Sequence, residues 1–218
     1  YVIPCANGTD ALQIALMSLG IGAGDEVITP AFTFISTVEV VAILGAKPVL
    51  VDVYPDTFNM DCEAVEKAIT KKTKAIIPVH LFGQCADMSR LVEISKRTGV
   101  PIVEDTAQSL MSIYCNGNGL SGRAGLIGKF GTTSFFPSKN LGCFGDGGAL
   151  FTQDGATGGV GPEARAGSGH WICDRPRRDG TAQDREYRSG EGLRGPLPEG
   201  PGPPGTYRVL AGAAFFWA

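Results

Sequence analysis

From Thr9 to Thr152 the chain alternates short apolar runs with segments in which apolar residues recur every three or four positions. No other feature restricts the fold as much. Residues 9–19, T-D-A-L-Q-I-A-L-M-S-L, put Leu12, Ala15, Leu16 and Leu19 on one helical face, with Asn7 or Thr9 as cap and Gly20 as stop. A strand over 26–29 leads to Pro30, a helix near 36–44 ends at Gly45, and P-V-L-V-D-V at 48–53 is a strand. Asp61 caps a helix through Ile69, and K-A-I-I-P-V at 74–79 is another strand. Asp87 opens a helix to about Thr98, P-I-V-E-D at 101–105 is a strand ending in acid, and short strands follow at 132–136 and 148–152. Strands alternating with helices of this length imply an α/β fold: a mainly parallel sheet covered by helices on both faces. Ligands of such sheets sit outside the carboxyl ends of the strands, where Asp105 falls.

The pattern stops near Asp154. Residues 1–154 hold eight Lys and three Arg, whereas 155–218 hold no Lys and eight Arg, with 14 Gly, seven Pro and only six Val, Ile or Leu. That composition offers too little apolar surface to offset the entropy of ordering a chain. Two domains are therefore expected: 1–154, a packed unit, and 155–218, a Gly/Pro/Arg-rich tail that is either flexible or the product of a reading-frame slip. The chain opens Tyr1-Val2-Ile3-Pro4, without an initiator Met or a charged-then-apolar stretch, so no signal peptide is expected and it reads as starting inside a protein near the end of a strand.

The net charge of −3 leaves no basic footprint for nucleic acid. No run of 18 apolar residues occurs; Val38 to Val51, the longest apolar region, is broken by Glu39 and Lys47, so no membrane span is expected. Six widely spaced cysteines without C-x-x-C favour free thiols in a reducing, cytoplasmic setting over disulfides or zinc, and no metal site is expected.

Individual residues admit plain explanations. Asn7-Gly8-Thr9 can be an ordinary helix cap, or the N–H groups of Gly8, Thr9 and Asp10 can cradle a phosphate at a helix N-terminus. G-N-G-L-S-G at 117–122 matches a dinucleotide fingerprint, but no helix-forming segment follows it, so it reads as a Gly-rich surface loop. Asp105 alone could be a cap, Lys139 solvated and Phe34 core. Together, a lysine in S-F-F-P-S-K-N downstream of the V-E-D-T-A-Q strand end suits a pyridoxal 5'-phosphate (PLP) site. There a lysine amine condenses with the cofactor aldehyde and a carboxylate keeps the pyridine nitrogen protonated.

Five motifs stand in order: P-A-F-T-F-I-S-T (30–37), P-V-H-L-F-G-Q (78–84), E-D-T-A-Q-S (104–109), S-F-F-P-S-K-N (134–140) and G-D-G-G-A-L (145–150). With them the chain resembles the DegT-type sugar aminotransferases of PLP fold type I over 1–154. The resemblance implies a fold type I large domain, incomplete at both ends. The family's preceding helical segment, smaller domain and partner-reaching asparagine loop are not recognisable. It also implies residue roles. Lys139 would be the Schiff-base lysine and then the proton-moving base, with Asp105 paired to the pyridine nitrogen. Phe34 would stack on one ring face, with Gln108 near the phenolic edge or opposite face. Gly8, Thr9 and Ser134 would hold the phosphate. Lysine at 139 argues against the family's dehydratase branch, where that residue is replaced. The implied function is transfer of an amino group, with glutamate the expected donor, to a nucleotide-linked keto sugar for polysaccharide or antibiotic sugars, by a cytoplasmic homodimer. The alternative is a non-catalytic fragment or a PLP-binding regulatory relative.

Overall fold

Val27, Ile28 and Thr29 are wholly buried at the middle of a five-residue strand, β2 (Glu26–Pro30), and the fold builds outward from it. The computed structural model describes residues 1–116 and 120–153. The expected tail at 155–218 lies outside the described residues, as does the proposed boundary at Asp154. The first part of G-N-G-L-S-G, residues 117–119, lies outside them too.

Among the described residues the remaining strands and α-helices are β1 (Val2–Cys5), α1 (Gly8–Ser18), α2 (Ser36–Ile43), β3 (Lys47–Val51), α3 (Cys62–Ala68), β4 (Thr73–Ile76), α4 (Met88–Thr98), β5 (Val103–Asp105), β6 (Ile113–Cys115), β7 (Ser121–Arg123), β8 (Phe130–Ser134) and β9 (Gly148–Thr152). Helix starts follow the chemistry read from sequence. Asn7 Oδ1 accepts the Asp10 N–H, Asp61 accepts from Glu63 and Ala64, and Asp87 accepts from Arg90. Gly99, at φ +76°, ends α4 in the left-handed conformation.

β2 pairs in parallel with β3 and with β4, and β5 pairs in parallel with β8. Isolated parallel bridges Ile76–Ile102 and Val79–Asp105 connect the β4 side to β5. The strands thus follow one another as β3-β2-β4-β5-β8-β9-β1. The sheet is mainly parallel, as expected, but mixed: β9 alone is reversed, running antiparallel to both β1 and β8. A parallel return needs a crossover, usually helical. The Gly-rich stretch 135–147 between β8 and β9 forms no helix and turns straight back instead.

Two apolar cores lie on opposite faces of these strands. Leu12, Ala15 and Leu16 of α1 and Val40 and Val41 of α2 pack with Val27, Ala75, Ile77, Val103, Phe130 and Leu150. Val65 of α3 and Met88, Leu91 and Ile94 of α4 pack with Ile28, Ile76 and Ile102. Neighbouring strand residues such as Ile102 and Val103 therefore serve opposite layers, as the pleat requires. No helix among the described residues is long and apolar enough to cross a membrane.

Candidate functional site

Asp105 ends β5 on the side of the sheet that faces α1 and α2, and is only 6% exposed. Its Oδ1 accepts the Ala107 N–H at 3.0 Å and its Oδ2 the Thr37 hydroxyl at 3.2 Å. Thr37 Oγ1 lies 3.1 Å from Thr33 Oγ1, so the entry to α2 is tied to the end of β5. Burial pushes the Asp105 carboxyl above its ordinary value, opposed by the bonds from Ala107 and Thr37 and by the positive charge of Lys139. Ionising a side chain at this depth calls for a cation nearby.

Lys139 rides on the segment that leaves β8. Its backbone N–H closes a turn onto the Phe136 carbonyl, and its Nζ stands over the Phe34 ring, 6.0 Å from the centroid. Phe34 is 57% exposed, and nothing in the core demands an aromatic there. Lysine, aromatic ring and buried carboxylate thus converge at the carboxyl ends of the strands.

The start of α1 abuts the same edge. A Cβ at Gly8 would come within 2.6 Å of Ser134 Cβ, so only glycine lets the first turn of the helix lie against the end of β8. Gly148 likewise leaves no room for a side chain beside the Asn7 carbonyl. Asn7 spends its side chain on the Asp10 N–H at 2.8 Å, which removes Asp10 from the expected phosphate cradle. The N–H groups of Gly8 and Thr9 belong to the first turn, which has no intrahelical acceptors for them, and Ser134 Oγ lies beside Gly8. Gln108, half-buried, has its Oε1 engaged by the Phe82 N–H at 3.1 Å, so its NH2 end is the donor it can offer.

These groups fit a flat, anionic, cationic-nitrogen cofactor. They supply N–H and hydroxyl donors for a phosphate, an aromatic face, a lysine and a buried carboxylate. Sequence reading did not single out Thr37, which holds Asp105, although it falls within the 30–37 motif. It also missed Glu104 and His80, which are adjacent to Asp105 through the chain or the sheet. The alternation of β5 was the available signal: a second acid beside Asp105 must point into the other layer.

The sequence description of the DegT/DnrJ/EryC1/StrS aminotransferase family matches residues 1–159. The chain belongs to that family. It is 56% identical over 159 residues to a UDP-2-acetamido-2-deoxy-3-oxo-D-glucuronate aminotransferase of Pseudomonas aeruginosa, covering 71% of this chain and 42% of the relative. It is 54% identical over 152 residues to a pleiotropic regulatory protein of Geobacillus stearothermophilus, covering 70% of this chain and 40% of the relative. Among solved structures, the PLP form of the sugar aminotransferase Spr1654 from Streptococcus pneumoniae, itself assigned that function provisionally, superposes with a TM-score of 0.65 at 32% identity. That match covers 75% of this chain and 44% of that one. The chain therefore spans about two-fifths of the curated relatives it matches.

Proposed function

We propose that residues 1–154 are the cofactor-holding part of a fold type I large domain, in a PLP-dependent aminotransferase acting on a nucleotide-linked keto sugar with glutamate as amino donor. The observation that carries this reading is the convergence of Lys139, Phe34 and Asp105 beside the Gly8–Ser134 contact. The Pseudomonas relative, named for an oxo-sugar nucleotide, supports the substrate class.

When bound, the cofactor supplies an aldehyde that captures amines and a ring that accepts electrons. This chain's residues do the rest. The N–H groups of Gly8 and Thr9 and the hydroxyl of Ser134 hold the phosphate at the α1 N-terminus. Phe34 covers one face of the ring, and the NH2 of Gln108 donates toward its edge. Asp105 keeps a proton on the ring nitrogen; a carboxylate fixed by Ala107 and Thr37 needs no reorganisation as charge develops. Lys139 anchors the cofactor and, once released, its amine moves the proton at the substrate carbon. The intact protein is read as a cytoplasmic homodimer in which the partner completes the substrate side.

Rapid mixing of the PLP-loaded chain with glutamate tests the activity. Loss of the visible band with formation of 2-oxoglutarate, followed by its return on adding an oxo-sugar nucleotide, is the expected result. A chain that binds PLP at Lys139 yet leaves glutamate unchanged would support the second reading, a non-catalytic fragment or a PLP-binding regulatory relative. The similarity to the Geobacillus regulatory protein favours that alternative.

A further inference from the structure

Glu104 sits next to Asp105 on β5 but points into the opposite layer, and its side chain is 0% exposed. Its Oε2 accepts the Gly125 N–H at 2.9 Å and bonds His80 Nε2 at 3.0 Å. Its Oε1 accepts the Ile127 N–H at 2.7 Å and the Gly128 N–H at 2.5 Å. His80 is equally buried, and its Nδ1 accepts the Ala86 N–H at 3.1 Å. The single proton of a neutral His80 ring therefore stands on Nε2, aimed at Glu104. Burial resists ionisation of Glu104, yet His80 and the N–H groups of Gly128 and Gly125 outweigh it and hold the carboxyl below the usual range.

These bonds close around the segment that carries Asp105. The His80 N–H donates to the Asp105 carbonyl at 3.0 Å, and the Asp105 N–H donates to the Pro78 carbonyl at 2.9 Å. Thr132 Oγ1 donates to the Glu104 carbonyl at 3.1 Å. A Cβ at Gly131 would collide with the Gly125 carbonyl, so the turn gripped by Glu104 is pressed onto β8. We propose that Glu104 and His80 are positioning residues for Asp105: the buried pair locks segments 78–80, 103–106 and 124–128 together and so fixes the direction of the Asp105 carboxylate. This rests on the reading of Asp105 as partner of the cofactor nitrogen.

Only an ionised carboxylate satisfies all four donors. Glutamine at 104 would serve Ile127 and Gly128 through its oxygen but turn its NH2 toward the Gly125 N–H and the His80 Nε2–H. Moving the His80 proton to Nδ1 relieves one conflict and creates another with the Ala86 N–H.

The test combines amide hydrogen exchange of the cofactor-free full chain with PLP titration by absorbance, for Glu104→Gln, Asp105→Asn, His80→Asn and His80→Gln. In Glu104→Gln the Ala107 N–H, which bonds Asp105, should exchange about tenfold faster and PLP should bind about tenfold more weakly, while β2 and β3 amides keep their rates. Asparagine at 80 keeps an acceptor for Ala86 but loses the donor to Glu104, and should reproduce the defect. Glutamine at 80 keeps a donor toward Glu104 and should restore Ala107 protection. If Glu104→Gln loosens only residues 125–128, with Ala107 protection and PLP affinity unchanged, Glu104 merely anchors a turn and the proposal falls. If Glu104→Gln fails to fold, the two His80 variants decide on the same readouts: equal behaviour of the two overturns the proposal. Asp105→Asn should weaken PLP binding without touching the protection of 125–128. Unchanged affinity there would instead overturn the role assigned to Asp105.

Discussion

Replacing Gly8 by alanine perturbs the closest contact in the site. The new Cβ would lie 2.6 Å from Ser134 Cβ and 3.2 Å from both Ser134 Cα and Oγ. Carbon atoms settle about 3.5–4.0 Å apart, so the helix start and the strand end must separate by about 1 Å. The obstacle cannot swing aside, because Ser134 is paired to Gly148 of β9 and its Cβ is fixed to that backbone. Overpacking of this kind costs about 1–3 kcal/mol, and the helical advantage of alanine over glycine returns at most about 1 kcal/mol. A net loss of about 1–2 kcal/mol should lower the melting temperature by about 2–8 °C for a chain of this size. The same shift carries the Gly8 and Thr9 N–H groups away from Ser134 Oγ, so PLP should bind about tenfold more weakly. Circular dichroism melts and PLP titrations measure both effects. Adding Ser134→Gly removes the clashing carbon, and the double variant should be more stable than the sum of the single changes by about 1–2 kcal/mol. A Gly8→Ala chain that melts and binds PLP like the parent would refute the contact and the phosphate cradle built on it.

Two further outcomes follow from Asp105. Its carboxyl is raised in the folded chain, chiefly by burial, so the folded state holds the proton more tightly than the unfolded state. Its contribution is therefore fully present below about 3.9 and is lost as pH climbs through the raised folded value. Without cofactor, Asp105→Asn should resist urea better than the parent at pH 7 and no better at pH 3, while its PLP affinity falls. Thr37→Val leaves Asp105 Oδ2 without its hydroxyl partner and should cost about 1–3 kcal/mol in urea denaturation at neutral pH.

Three of the four described α-helices were legible from their starts, because their caps are side chains; α2, entered from Ile35, has no such cap. Asn7, Asp61 and Asp87 fixed the starts of α1, α3 and α4 to within a residue or two. Strand ends were less legible. The run at 74–79 contracts to β4 (Thr73–Ile76), since Pro78 has no N–H to pair, although Val79 still bridges Asp105. The pairing of β6 with β7 escaped notice because Ser121-Gly122-Arg123 has no strand-like composition. In the site, the motifs brought Lys139, Phe34 and Asp105 together, and Gly8 with Ser134, because each falls at a strand end or helix start. Hidden were the groups that hold them. The grip of Thr37 on Asp105 and of Glu104 on the 125–128 turn depends on contacts across 68 and 21 residues of chain, which no local pattern encodes.

Lys139 is the residue expected to capture the cofactor. Loading the chain with PLP, reducing with borohydride and mapping the modified peptide should place the pyridoxyl group on Lys139, with the visible absorbance abolished by the reduction. A label mainly on Lys129, or spread over the eight lysines of the chain, would contradict it.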